Sequence, residues 1–294
     1  MSKPIDFICV GTQKAGTTTL HDVLKHHPNI YLPERKEAHF FDIDQRFNKG
    51  LDWWLQTFFK GDKNNKKIGV FTPEYLFFKN IPERIKEVLG TDLKIIIVLR
   101  QPARRAYSHY LMSKRRGFEN LDFKTALKEE YSRLKEDTYY NKNHFSYISR
   151  GLYYDQIKRY IDVFGRENVK VFIFENNIIN NIDDTLKQLQ DFVAVPYQKL
   201  DASKKSNEAS EPKSKLIRNL IFNKNNPIKK LFGLLPISEN FKFKVASKIN
   251  NINQKPAKDK KLLPEEVQSI TNTYFKEDIE KTEQLLNIDL SIWK

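Results

Sequence analysis

Asp6-Phe7-Ile8-Cys9-Val10-Gly11-Thr12-Gln13-Lys14-Ala15-Gly16-Thr17-Thr18-Thr19-Leu20 opens with an apolar run, halts at Gly11, and resumes with helical spacing at Leu20, Val23 and Leu24. Strand, glycine-bearing turn and helix follow from that order. The backbone N–H groups of residues 15 to 19, together with the helix dipole, would converge on one phosphate. Both glycines stand at the spacing of a triphosphate-binding loop, and Thr18 keeps its hydroxyl, yet Thr17 occupies the place of that motif's lysine. The lysine lies three residues earlier, at Lys14, where its ammonium can reach an oxygen beyond the cradled phosphate.

Working outward, Lys94 to Leu99 (KIIIVL) is apolar on successive residues, as in a strand buried on both faces, and Pro102 opens a helix through about Arg116. Tyr153 to Phe164 is apolar at helical spacing, Val169 to Phe174 reads as a strand, and a helix follows near Asp184 to Val193. This alternation predicts an α/β fold, a P-loop-type parallel β-sheet flanked by helices on both faces. From Asp201 to Lys261 the chain turns to Lys, Asn and Ser, which predicts long loops with short helices at Leu216 to Phe222 and Ile228 to Leu235. Helical spacing returns at Pro264, with Val267, Ile270, Tyr274 and Leu285. One domain is expected over 1–294, made of a core at 5–195, a basic loop-rich region at 201–261 and C-terminal helices at 262–294.

The chain has 294 residues, 39% of them hydrophobic, enough for a sizeable core. No run approaches the roughly 18 apolar residues of a membrane span, and the N-terminus turns charged before a signal-peptide core develops, so a soluble cytoplasmic protein is expected. A single cysteine, Cys9, excludes an intramolecular disulfide and a zinc-thiolate cluster. The formal net charge is +14, and Lys213 to Lys261 carries +11 of it. That distribution argues against a uniformly basic nucleic-acid binder and for an enzyme-like body with a basic segment. The segment is either solvated surface or a rim for an anionic acceptor chain or a membrane surface.

KIIIVL ends in Arg100, where a kinase or ATPase of this architecture needs a carboxylate for Mg²⁺. An arginine there recruits a second anion instead. Ser108, within the helix opened by Pro102, can add a hydroxyl donor. The site therefore suits a ligand with two separated phosphates and no metal.

These residues resemble the sulfotransferases that use 3′-phosphoadenosine 5′-phosphosulfate (PAPS). TQKAGTTTL (Thr12 to Leu20) is similar to that family's 5′-phosphosulfate loop, and LRQPARRAYSHY (Leu99 to Tyr110) to its 3′-phosphate strand and helix. HPNIYLPERKEAHFFD (His27 to Asp42), KGLDWW (Lys49 to Trp54) and TPEYL (Thr72 to Leu76) lie between them in the order of the heparan-sulfate-type glycan branch and its bacterial relatives. The resemblance covers about residues 5 to 195, and NEASEPKSKL (Asn207 to Leu216) more weakly.

The resemblance implies sulfuryl transfer from PAPS to a hydroxyl or amine of a glycan or glycolipid, releasing adenosine 3′,5′-bisphosphate. Lys14 would contact the bridging oxygen, and Ala15, Gly16, Thr17, Thr18 and Thr19 the 5′-phosphate. Arg100 and Ser108 would hold the 3′-phosphate, with Lys213 covering it. Glu37 would deprotonate the acceptor; His39, two residues on, shares its face if the segment is extended, and both stand as candidate bases. Two departures stand out. Phe71 occupies a position where the glycan branch often has lysine, and no disulfide-braced C-terminal cofactor loop can form with one cysteine. The competing expectation is a non-catalytic polyanion or nucleic-acid binder on the same kind of fold, which has no use for an acid beside the phosphate loop.

Overall fold

Five successive buried residues make β1 (Phe7–Gly11) a strand with neighbours on both edges. A computed structural model describes residues 4–203, 210–222, 226–227, 237, 239–256 and 261–294. It arranges β2 (Ile30–Tyr31), β3 (Lys67–Phe71), β1, β4 (Lys94–Leu99) and β5 (Val169–Ile173) in that spatial order, all parallel. The expected α/β sheet flanked by helices is what the chain builds. Phe7 pairs with Gly69, where a Cβ would lie 2.1 Å from the Phe7 ring. Glycine is required there because the aromatic ring crosses the neighbouring strand. The Asp6 carboxylate accepts the Ile68 N–H at 2.8 Å and the Lys67 ammonium at 3.0 Å, fixing where β3 starts against β1.

After β1 the chain adds β2 and β3 on one side, then crosses over to add β4 and β5 on the other. The carboxyl ends of β1 and β4 therefore meet where the strand order reverses, the place at which open α/β sheets bind ligands. The loop of residues 12 to 16 leaves β1 there, and Arg100 follows β4.

The described residues divide into two compact units. The first draws on Met1–Arg105, Ile148–Ser206 and Pro264–Lys294 and contains the parallel sheet. Its core joins Phe7, Cys9, Leu20, Ile96, Val98, Phe172 and Leu189. The C-terminal helices Pro264–Tyr274 and Lys276–Leu286 belong to it because Gln101, just past β4, donates to Thr271 at 2.6 Å. Trp293 Nε1 also donates to Glu175, past β5, at 3.1 Å.

The second unit draws on Ala106–Tyr147 and Asn207–Leu263, so part of the predicted core region is grouped with the basic region. Its buried Glu119 carboxylate accepts from Arg133 at 2.6 Å and from the Tyr147 hydroxyl at 2.9 Å. Those donors, opposing the burial, hold Glu119 below the usual carboxylate range. Where long loops are expected, Glu239–Ile252 forms a helix of 14 residues, and Ser210–Pro212 pairs antiparallel with Gln254–Pro256. Phe241, Val245, Ile249 and Ile252 do recur at helical spacing, but the surrounding Lys and Asn hide it. The predicted helix at Leu216 to Phe222 forms as Lys215–Phe222, and Ile228 to Leu235 lies outside the described residues. Among the described residues no helix is long and apolar enough to cross a membrane.

Candidate active site

The loop after β1 is shaped by two left-handed residues, Lys14 (φ 74°) and Gly16 (φ 84°). Glycine at 16 is also a matter of space, since a Cβ would come within 2.7 Å of the Phe174 ring. Thr12 N–H donates to the Val98 carbonyl of β4 at 2.8 Å, and Ala15 N–H to the Thr12 carbonyl at 3.1 Å. Gly16 then caps the helix Thr17–Leu24. The N–H groups that open any helix lack acceptors within it, so those of Thr17 and Thr18 suit an anion placed at this end.

Arg100 closes on this loop from the end of β4. Its guanidinium donates to the Lys14 carbonyl at 2.9 Å and lies 4.8 Å from the centre of the Phe174 ring. Burial lowers its pKa, while Glu175 opposes that shift. Glu175 itself accepts from Gln101 N–H at 3.0 Å and from Trp293. Lys14 and Arg100, singled out separately in the sequence, thus belong to one loop structure. Ser108 is half-buried on the helix Pro102–Arg116. Lys213, in the second unit, donates from Nζ to the Ile252 carbonyl at 3.0 Å.

The segment KEAHFFD supplies the acidic side. Ala38, Phe40 and Phe41 are fully buried, and Phe40 stacks on Trp54 at 4.7 Å. The Tyr75 hydroxyl accepts from the N–H groups of Phe40 and Phe41 at 3.0 and 3.3 Å. These anchors leave Glu37 and His39 only partly buried between them. His39 has φ 49°, so the segment is not the extended strand that period-2 spacing assumes, yet His39 Nε2 still lies 3.9 Å from Glu37 Oε2. His39 Nδ1 donates to the buried Asp42 carboxylate at 2.7 Å. Burial opposes charge on His39, but Asp42, Glu74 and Glu37 outweigh it and push its pKa up to about 9.

Three residues of this cluster escape the sequence reading. Lys36 Nζ donates to Thr18 Oγ1 at 3.0 Å, to Glu37 Oε1 at 3.1 Å and to Thr17 Oγ1 at 3.4 Å, joining the phosphate loop to the acid. Asp42 orients His39, and its place three residues on was a signal available in the sequence. Glu74, in TPEYL, is 6% exposed and accepts from Gln13 Nε2 at 2.9 Å. Burial raises the pKa of Glu74, Glu37 adds to the rise, and His39 and Arg150 oppose it. Glu37, His39 and Glu74 each offer a ligand atom within 4.8 Å of the others, a spread that suits a cation. Nothing in TPEYL foretold that its glutamate would fold inward.

A parallel sheet with a glycine-bearing loop at its switch point, an arginine after the next strand and an acid held against the loop is an arrangement suited to group transfer from a phosphorylated ligand. The chain belongs to the sulfotransferase family: the sulfotransferase domain matches residues 4–282. It is 26% identical over 189 residues to heparan sulfate glucosamine 3-O-sulfotransferase 5 of Homo sapiens, covering 64% of this chain and 53% of that protein. It is 30% identical over 196 residues to heparan sulfate glucosamine 3-O-sulfotransferase 3B1 of Mus musculus, covering 64% and 45%. The chain spans about half the length of these curated relatives. Among solved structures, a sulfotransferase from Alicyclobacillus acidocaldarius aligns over 98% of both chains with TM-score 0.69 and 26% identity. Membership of that family weighs against the non-catalytic polyanion or nucleic-acid binder as the competing reading.

Proposed function

We propose that this enzyme moves the sulfuryl group of PAPS to a hydroxyl, or an amine, of a carbohydrate acceptor. The observation that carries the proposal is the Glu37 carboxylate tethered through Lys36 to the hydroxyls of Thr17 and Thr18. It sets a proton acceptor beside a phosphate cradle, which sulfuryl transfer needs and simple binding does not. The glycan as acceptor is supported by the heparan sulfate relatives.

In this reading the backbone of Ala15 to Thr19 and the threonine hydroxyls hold the 5′-phosphate. Arg100 takes the 3′-phosphate. Glu37 takes the proton from the acceptor as the acceptor oxygen bonds to sulfur. The bond from sulfur to the bridging oxygen breaks at the same time, and Lys14 balances the charge left on that oxygen. His39, raised to about 9, is charged near neutral pH and holds Glu37 in place rather than acting as base. No metal is required, because arginine stands where a metal-binding carboxylate would. The test is mass spectrometry of an acceptor library incubated with PAPS. A mass gain of one SO₃ on a carbohydrate is expected; no gain on any acceptor refutes the proposal.

A further inference from the structure

The roles above give Lys36 only the tether between Glu37 and the loop. Its ammonium is within hydrogen-bond distance of three oxygens at once, two from the phosphate loop and one from the proposed base. With its side chain only 15% exposed, it is held in this place rather than waving in solvent. Lysine gives up considerable rotamer freedom to be held there.

In the transfer reaction negative charge starts on the acceptor oxygen, beside Glu37, and ends on the leaving oxygen, beside the loop. The sulfuryl oxygens lie between those two points at every stage. A cation touching both Glu37 and the threonine hydroxyls therefore borders the path of the group in transit. Lys14 cannot cover the same ground, since its role is at the leaving oxygen. Position 71 cannot either: Phe71 is 1% exposed and packs edge-on against His21.

We infer that Lys36 is a catalytic residue whose ammonium binds the oxygens of the transferring sulfuryl group, exchanging its present bonds to Thr17 and Thr18 for them when the donor arrives. The inference rests on the proposed use of PAPS. No proton or electron is consumed by this role: the acceptor proton still goes to Glu37. Electrostatic stabilisation of this kind acts most where charge is redistributed, so it enters both donor binding and turnover.

The test compares two ligands that differ only in the sulfuryl group. Calorimetric titration of the wild type, Lys36→Met and Lys36→Arg with PAPS and with adenosine 3′,5′-bisphosphate is paired with turnover on the best acceptor. Lys36→Met should weaken PAPS by about 10- to 100-fold, the worth of a charge-assisted contact, and bisphosphate by less than about threefold. Turnover should fall by about 10²-fold or more, and Lys36→Arg should recover a large part of both losses. Equal weakening of both ligands would make Lys36 a 5′-phosphate contact and overturn the inference. Unchanged affinity for both would overturn it too. A wild type that binds neither ligand defeats the underlying use of PAPS, which is a different failure and is read before any variant.

Discussion

Gln13 Nε2 donates to Glu74 Oε1 at 2.9 Å, joining the loop after β1 to the TPEYL segment after β3, while Glu74 Oε2 is buried with no hydrogen-bond partner among the described residues. A buried carboxyl with one oxygen satisfied is stable in its protonated form, and burial raises its pKa accordingly. A raised pKa gives stability that is present at low pH and lost as pH rises through the folded-state value. Glu74→Gln mimics the neutral form and should flatten that part of the pH dependence. Melting temperatures from pH 4 to 8 should fall less for the variant than for the wild type; parallel curves would count against a raised pKa.

His39 acts in the same direction in a higher window. Its pKa is pushed up to about 9 from the ordinary 6.5, so its contribution is complete below about pH 6.5 and disappears as pH rises through about 9. The shift corresponds to stability on the order of 3 kcal/mol. His39→Gln should lose most of the wild type's decline in stability between pH 7 and 10. Denaturant midpoints at those two values test this, and a variant that declines as steeply as the wild type would place the titration elsewhere.

Much of this site was readable from residue types, and the unreadable part has a common physical cause. The apolar runs at Phe7 and Ile95, the glycines at 11 and 16, and Pro102 each announce their local structure through burial or backbone restriction. The strands Ile30–Tyr31 and Lys67–Phe71 were missed because one is two residues long and the other is interrupted by Gly69. Lys36 and Glu74 are polar residues whose role depends on where neighbouring anchors turn the chain. Phe40 stacking on Trp54, and Tyr75 accepting from Phe40 N–H, fix that turn through contacts made far along the sequence. Local spacing carries no record of such contacts.

Metal independence is expected to separate this protein from nucleotide-triphosphate enzymes of similar topology. Arg100, not a carboxylate, follows β4, and its guanidinium is bonded to the Lys14 carbonyl. Transfer should persist in excess EDTA. Activity lost on chelation and restored by Mg²⁺ would point to the Glu37, His39 and Glu74 group as a working cation site instead.

Arg100 should govern recognition of the 3′-phosphate. Its Nε is buried without a hydrogen-bond partner among the described residues, so it retains donor capacity for an incoming anion. A charge-assisted contact contributes about 1.5 to 3 kcal/mol, and Arg100→Ala should weaken adenosine 3′,5′-bisphosphate by one to two orders of magnitude. The wild type should also reject adenosine 5′-phosphosulfate, which lacks the 3′-phosphate, and the variant should reject it less. Equal use of both donors by the wild type would refute the assignment. Because Arg100 also braces the Lys14 carbonyl, Arg100→Lys serves as the control, keeping charge while losing the planar fork.

The sharpest division of labour lies between Glu37 and His39. A base acts on the acceptor proton only as the new bond to sulfur forms, so Glu37→Gln should leave bisphosphate affinity within a few fold. Turnover should fall by about 10² to 10⁴, the usual loss when a general base is removed. His39 is 3.9 Å from Glu37 and bonded to Asp42, and its raised pKa keeps it charged near neutral pH. His39→Ala should therefore misplace Glu37 rather than delete the base, with a smaller fall in turnover. Asp42→Asn should follow His39→Ala, because it lowers the charge that holds the imidazolium. Lys14→Ala should lose turnover and donor affinity together, since its ammonium faces the donor in both ground and transition states. If Glu37→Gln turns over nearly normally while His39→Ala is inactive, the imidazole is the base. The pH profile gives an independent reading: with Glu37 as base, activity should hold through neutral pH and decline as His39 loses its proton near pH 9.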